Sequence, residues 1–137
     1  EVGSREVEIH IAKMLMDQLV DPDRLVMSGF SAGGRVALHM LLKDAVKAKG
    51  IILVGPWLPD LISLEPLIPK LREAKVRAYL VCGDRDRDCF DSTNRLAELL
   101  GENGVSFRYR VVVGMGHCYP TDFEDDLARA TSYILEG

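Results

Sequence analysis

A serine stands among glycines at the point where a short apolar run changes into an apolar helical pattern. The chain there reads Gly29-Phe30-Ser31-Ala32-Gly33, which is a G-x-S-x-G motif. Between a strand and a helix, this motif predicts a sharp turn that exposes the serine oxygen. Side chains two residues before and two residues after the serine would collide across such a turn, so we expect glycine to be needed at both positions. The motif therefore predicts Ser31 as a nucleophile.

The helix predicted to follow Ser31 adds a group that could stabilise negative charge. The first N–H groups of a helix have no partner within it, and the helix dipole is positive at this end. We therefore expect the N–H of Ala32 to donate to the oxyanion that forms when a nucleophile attacks a carbonyl.

Two phosphate-binding interpretations of the same stretch fit less well. A P-loop has Lys and then Ser or Thr after its last glycine, whereas Arg35 and Val36 follow Gly34. A dinucleotide-binding fingerprint has glycine at the position of Ser31 and an acidic residue at the end of the next strand. The end of that strand has no acidic residue, because the chain there reads Val-Gly-Pro at 54–56.

A serine hydroxyl requires a base, and a histidine base requires an acid that fixes its tautomer. His117 follows a predicted strand within Gly-Met-Gly-His, whereas His10 and His39 lie within helical patterns. The acid is expected among Asp84, Asp86 and Asp88, which follow another predicted strand. Ser, Asp and His then occur in the chain order of the α/β-hydrolase triad.

The spacing of the three aspartates also suggests a calcium loop or a solvated turn. A calcium loop that began at Asp84 would have glycine sixth and glutamate twelfth, where this chain has Cys89 and Arg95. The calcium interpretation therefore fails, and a solvated charged turn accounts for two of the three carboxylates.

Apolar periodicity and turn residues predict the elements that position these side chains. The order is helix, strand, helix, strand, proline-rich segment, strand, helix, strand, helix, which favours an α/β fold with a mostly parallel sheet of about four strands and helices on both faces. Active residues of such sheets lie at the carboxyl ends of the strands. The predicted strands are 24–29, 51–55, 76–83 and 105–114, the helices are 5–20, 32–47, 92–104 and 121–137, and segment 56–75 is a loop with one or two short helices.

Composition narrows the functional classes. The 137 residues carry a net charge of −4, and 47% are apolar, which is typical of a globular domain. The scattered Lys and Arg residues argue against nucleic-acid binding, and no apolar run is long enough to span a membrane. We expect a cytoplasmic location, because no signal-peptide pattern is present and at least one of the three cysteines is unpaired. The cysteines do not have the spacing of metal ligands, and a Cys89–Cys118 disulfide bridge stays open.

These motifs resemble the α/β-hydrolase superfamily, and more narrowly its phospholipase/carboxylesterase branch with the acyl-protein thioesterase-like serine esterases. The matching pieces are Gly-Phe-Ser-Ala-Gly-Gly at 29–34, Cys-Gly-Asp-Arg-Asp at 82–86 and Gly-Met-Gly-His at 114–117. The resemblance implies Ser31 as nucleophile, His117 as general base and Asp86 as the acid, with Asp88 and Asp84 as the alternatives.

The resemblance covers the chain but only the second half of the family's fold. It implies that residues 1–137 are one α/β-hydrolase-like domain, a C-terminal fragment without the first four strands or the loop that supplies a second oxyanion donor. Loss of one donor lowers the rate about a hundred- to a thousandfold. The first strand would then be an exposed edge, which a second copy or an N-terminal half could cover.

The resulting hypothesis is a serine hydrolase that cleaves carboxylic esters or thioesters through an acyl-enzyme, without a metal or an organic cofactor. Phe30, Trp57 and Leu58 could contact the small-molecule substrate, and packing of the segment that follows Trp57 against the sheet is an equal alternative. The rival hypothesis is a non-catalytic interaction module that pairs through its sheet edge. A nucleotide-binding α/β domain is a third, weaker interpretation.

Overall fold

A computed structural model describes residues 24–136, and the predicted helix 5–20 lies outside them. The strands are β1 (Val26–Phe30), β2 (Gly50–Val54), β3 (Arg77–Gly83) and β4 (Phe107–Val112). The helices are α1 (Ala32–Leu42), α2 (Leu61–Leu64), α3 (Pro69–Glu73), α4 (Phe90–Glu102) and α5 (Phe123–Glu136), with a 3₁₀ turn at Glu65–Leu67.

The four strands form one parallel sheet in the order β1-β2-β3-β4. Their registers pair Phe30 with Val54, Val54 with Val81, and Gly83 with Val112, so all four carboxyl ends meet at one rim. This confirms the predicted fold class of a parallel α/β sheet. It also brings to one rim the turns after β1, β3 and β4, which carry the predicted site residues.

Alternating side chains of the strands pack on opposite faces of the sheet, as the strand period of two requires. On one face, Leu53 and Leu80 join a large core with α1, α4 and the short helices. On the other face, Val54 and Val81 pack against Ile134 of α5. Every residue of β2 is buried, which confirms the prediction from its uninterrupted apolar run.

A buried carboxylate fastens α5 to the sheet. Asp126 is fully buried, and it accepts hydrogen bonds from the Tyr79 hydroxyl at 2.9 Å, from Arg129 at 3.2 Å and from Arg110. A buried charge is stable only when it is paired and hydrogen-bonded, and here three donors meet that requirement.

The first described helix ends earlier than its sequence pattern predicts. The apolar periodicity extends to residue 47, but α1 ends at Leu42. Asp44 adopts φ 59°, and the Ala45 N–H donates to Met40 O at 2.9 Å, so the helix ends in a Schellman motif. Glycine normally occupies that left-handed position, and the aspartate therefore gave no sign of the helix end in the sequence.

The prediction that glycines end the helix now labelled α4 is confirmed. Gly104 follows the helix with φ 71°, and the Val105 N–H donates to Leu100 O at 2.9 Å. β4 is shorter than the predicted strand 105–114, because the chain turns at Gly114, where φ is 81°. That turn begins the segment that leads to His117.

In the described residues, no helix is both long enough and apolar enough to cross a lipid bilayer.

Substitution of Leu80 tests the core that supports the rim. Leu80 is fully buried at the centre of β3, so Leu80→Ala should lower the free energy of unfolding by about 3 kcal/mol through lost burial and a cavity. Ile62 is 84% exposed, so Ile62→Ala should change it by less than about 0.5 kcal/mol. Urea unfolding of both variants measures the difference, and equal midpoints would contradict the described packing.

Candidate active site

The turn that carries Ser31 is a single-residue reversal. β1 ends at Phe30 and α1 begins at Ala32, and Ser31 between them has φ 55° and ψ −120°. A residue other than glycine with positive φ costs about 1–3 kcal/mol and must be held by its surroundings. Here the Ser31 N–H donates to Val54 O at 3.1 Å, and its carbonyl accepts the Trp57 N–H at 3.0 Å. The end of β2 and the segment that follows it therefore hold the strained serine on both sides.

The two glycines of the motif have different roles. A Cβ on Gly29 would lie 2.4 Å from Gly33 O, so the expectation of a collision is correct there. A Cβ on Gly33 would meet nothing within 4 Å, so the same expectation is wrong for Gly33. The close approach on the helix side is at Gly34 instead, where a Cβ would lie 3.1 Å from Pro56 Cβ.

The predicted nucleophile, base and acid lie in one hydrogen-bonded series. His117 Nε2 is 2.8 Å from Ser31 Oγ, and His117 Nδ1 is 2.7 Å from Asp86 Oδ2. A carboxylate only accepts, so Nδ1–H donates to Asp86 and Nε2 is left to accept from the serine hydroxyl. Asp86 is 3% exposed, whereas the imidazole is 41% exposed. This arrangement can withdraw a proton from Ser31 at a solvent-facing surface.

The three candidate acids have different surroundings. Asp86 meets His117, whereas Asp84 Oδ1 accepts the Gly114 N–H at 2.8 Å and so braces the turn after β4. Asp88 is exposed. Among the three, Asp86 is thus the aspartate hydrogen-bonded to His117, and Asp84 supports the turn. The role of Asp86 as the acid stays a prediction.

The segment that carries His117 crosses the ends of two strands at glycines. A Cβ on Gly83 would lie 2.0 Å from Met115 O, and the Arg85 N–H binds that same carbonyl at 3.0 Å. A Cβ on Gly55 would lie 2.9 Å from Asp86 Oδ2, and Gly55 has φ +48°. Sequence reasoning did not assign either glycine to the site, although each ends a predicted strand.

Aromatic rings support the imidazole. The Phe30 ring stacks on His117 with centroids 4.8 Å apart and on Tyr119 at the same separation. Tyr119 in turn meets Phe123 edge to face. Phe30 was expected to contact substrate, but its described ring contacts are with His117 and Tyr119. Tyr119 was missed, and its only sequence signal was an aromatic residue two positions after the histidine.

The residues proposed to line an acyl pocket separate into two groups. Trp57 is 44% exposed and bonded through its backbone to Ser31, which is compatible with substrate contact. Leu58 is 3% exposed and packs in the main core with Leu61 and Leu64. Expecting Leu58 at the substrate is therefore not supported by its position, because its side chain faces the core, as the packing alternative predicted.

An ion-paired cluster braces the segment that contains Trp57. Arg35 Nε and a terminal nitrogen of Arg35 donate to Asp60 at 3.2 and 3.0 Å, and His39 Nε2 lies 2.8 Å from Asp60 Oδ2. Burial opposes ionisation of Asp60, but the hydrogen bond from Arg35 and the neighbouring charges lower its pKa. His39 thus has a structural partner, which agrees with its exclusion as a base, and His10 lies outside the described residues.

The three cysteines are free thiols, so the Cys89–Cys118 bridge left open by the sequence is not formed. Burial, followed by the charge of Asp86, raises the pKa of Cys89 to about 12, and burial raises the pKa of Cys82 to about 11. Both thiols stay protonated at neutral pH and are therefore poor nucleophiles. Cys89 Sγ nevertheless lies 3.8 Å from His117 Nδ1.

The motif glycines offer a matched pair of stability variants. Gly29→Ala should lower the free energy of unfolding by at least about 2 kcal/mol, because the new methyl meets backbone that cannot move aside. Gly33→Ala should leave it unchanged or raise it by up to about 1 kcal/mol, because alanine favours the helix. Denaturant unfolding compares the two, and equal losses would contradict the described turn.

Known proteins are similar to this chain in sequence and in fold. Acyl-protein thioesterase 1 of Neurospora crassa is 30% identical over 104 residues, which are 74% of this chain and 42% of that protein. An uncharacterized protein of Bacillus cereus ATCC 10987 has a structure with a TM-score of 0.93 and 33% identity, covering 98% of this chain and 43% of the other. The chain thus spans less than half the length of these two relatives.

The Bacillus cereus carboxylesterase shares the fold, with a TM-score of 0.74 and 17% identity over 96% of this chain and 59% of that chain. The model of the phospholipase/carboxylesterase family matches residues 5–122, which is most of the sequence. The four-stranded parallel sheet and these matches confirm the resemblance described from the motifs, and the chain belongs to the phospholipase/carboxylesterase family of the α/β-hydrolase fold.

Proposed function

We propose that the protein is a serine hydrolase that cleaves carboxylic esters or thioesters through an acyl-enzyme on Ser31. The observation that carries the proposal is the continuous series of hydrogen bonds from Ser31 through His117 to Asp86, at 2.8 and 2.7 Å. Membership of the phospholipase/carboxylesterase family and the similarity to a thioesterase support the reaction class.

In the first step, Ser31 Oγ attacks the acyl carbonyl carbon while His117 Nε2 takes the hydroxyl proton. The N–H of Ala32, at the start of α1, donates to the carbonyl oxygen as negative charge forms there. Asp86 stabilises the imidazolium, and Nε2–H then protonates the departing alcohol or thiol. Water repeats the sequence on the acyl-enzyme and releases the acid.

The neighbouring side chains divide the remaining work. Phe30 lies against the imidazole, so it acts as a positioning residue that keeps Nε2 directed at Ser31. Trp57 is exposed beside the serine turn, to which its backbone is bonded, and it contacts the acyl or leaving group. The thiols of Cys82 and Cys89 take no part in the attack, because both stay protonated at neutral pH.

Replacement of the nucleophile tests the enzyme directly. Ser31→Ala should lower the hydrolysis of p-nitrophenyl acyl esters at least about a thousandfold, because the acyl-enzyme can no longer form. A fluorophosphonate probe should label the parent protein and fail to label the variant. If the folded parent is not labelled and both proteins hydrolyse the esters equally, the proposal is wrong and the interaction module with an idle site is favoured.

Two aspartate variants test the assignment of the acid. Asp86→Asn should lower kcat about 10⁴-fold, because an amide cannot fix the tautomer in which Nε2 accepts the serine proton. Asp88→Asn should stay within twofold of the parent, because that side chain is exposed and lies outside the hydrogen-bonded series. Steady-state kinetics compare the two variants. If Asp88→Asn lowers kcat more than Asp86→Asn does, Asp88 is the acid instead.

A further inference from the structure

A third potential ligand lies beside the acid–base pair. Asp86 Oδ2, Cys89 Sγ and His117 Nδ1 all lie within 4.8 Å of one another. Asp86 and Cys89 are buried in the turn between β3 and α4, whereas His117 is exposed. The acyl-transfer steps described above make no use of Cys89, so its place against the imidazole calls for a separate explanation.

The chemistry of the three ligand atoms suits a soft or borderline divalent cation. Thiolate, imidazole and carboxylate together are a donor set that zinc and cadmium accept, whereas calcium and magnesium prefer oxygen. A thiolate and a carboxylate would also neutralise the two positive charges of the ion, which a buried site requires.

Two of the three separations between the ligand atoms fit with a small adjustment. From ordinary zinc–ligand bond lengths, tetrahedral ligand atoms are about 3.6 Å apart for sulfur and nitrogen and about 3.3 Å apart for nitrogen and oxygen. The observed separations are 3.8 Å for Cys89 Sγ to His117 Nδ1 and 2.7 Å for His117 Nδ1 to Asp86 Oδ2. The second must open by about half an ångström, and Cys89 Sγ, which lies within 4.8 Å of Asp86 Oδ2, must come to about 3.6 Å from it. The imidazole is 41% exposed, so its rotation is the movement that we expect to admit the ion.

We propose that zinc or cadmium binds Asp86, Cys89 and His117 Nδ1 and reversibly inhibits the hydrolase. This inference rests on the proposed function for its regulatory part and on the ligand geometry alone for its binding part. The ion is an inhibitor and takes no part in the acyl transfer.

Inhibition follows from the tautomer that the metal imposes. The ion takes the place of the proton on Nδ1 that Asp86 accepts, and the neutral ring then carries its one proton on Nε2. With that proton in place, Nε2 cannot accept from Ser31 Oγ, which lies 2.8 Å away. Cys89 loses its thiol proton to water as the bond to the ion forms, so each ion bound releases one proton in total.

Binding is measured without any reference to activity. Cadmium added to the reduced parent protein should produce a cadmium–thiolate charge-transfer absorption at one ion per chain. Ser31→Ala should give the same absorption with the same affinity, because the serine is not a ligand. Cys89→Ala should lose it, and Cys118→Ala, which removes an exposed free thiol next to His117, should retain it.

Inhibition is measured against each variant's own rate without metal. Zinc should inhibit the parent reversibly, with full recovery after a chelator is added. Cys89→Ala should raise the half-inhibiting zinc concentration at least tenfold, whereas Cys118→Ala should leave it unchanged.

The outcomes separate the two proposals. Absence of the cadmium–thiolate band in the parent, or its loss in Cys118→Ala but not in Cys89→Ala, overturns the metal site. A parent that shows the band but neither hydrolyses esters nor is labelled by the fluorophosphonate refutes the proposed function and leaves the metal site standing. A parent that shows the band and hydrolyses esters, yet is not inhibited by zinc, overturns the inhibitory role.

Discussion

The site depends on one crossing of the polypeptide. Ser31 follows β1 and His117 follows β4, and these strands lie at opposite edges of the described sheet, about 14 Å apart at ordinary strand spacing. The segment after β4 must therefore pass back over the ends of β3 and β2. It does so at Gly83, where a Cβ would collide with Met115 O, and at Gly55, where a Cβ would crowd Asp86. The absence of these two side chains allows the imidazole to reach the serine.

Hydrogen bonds to the neighbouring strand and to the segment after it explain why strain at Ser31 is tolerated. Ser31, which has the unfavourable φ, is bonded through its N–H to the end of β2 and through its carbonyl to Trp57 in the segment after β2. The paired charges of Arg35 and Asp60 brace that segment. The large core under the rim supplies the stability that offsets the strain. Phe30 directly precedes this fixed turn, so the rigid backbone also orients the Phe30 ring against the imidazole.

Local signals in the sequence predicted the strands, their parallel order and the strand ends at which the candidate site lies. Buried apolar runs marked the strands, and the parallel order followed from their alternation with helices. The strand ends indicated Ser31, His117 and an aspartate after β3, and only the resemblance to the family selected Asp86. The features that were missed arise from contacts between distant segments. Nothing near Leu58 shows that it faces the core, and the end of α1 depends on Asp44 in a conformation that glycine normally adopts. The roles of Gly33 and Gly34 differ because Pro56, which follows β2, and the carbonyl oxygen of Gly29 both lie close to Gly34.

Because the site spans the whole described sheet, it offers a way to monitor assembly of that sheet. Each chemical group comes from a separate strand end, and the two outermost strands supply the first and the last of them. No sub-assembly of two or three neighbouring strands contains both the hydroxyl and the imidazole. Under the proposed function, reactivity of Ser31 therefore requires all four described strands together, and it would report completed assembly of this sheet rather than the presence of any one strand.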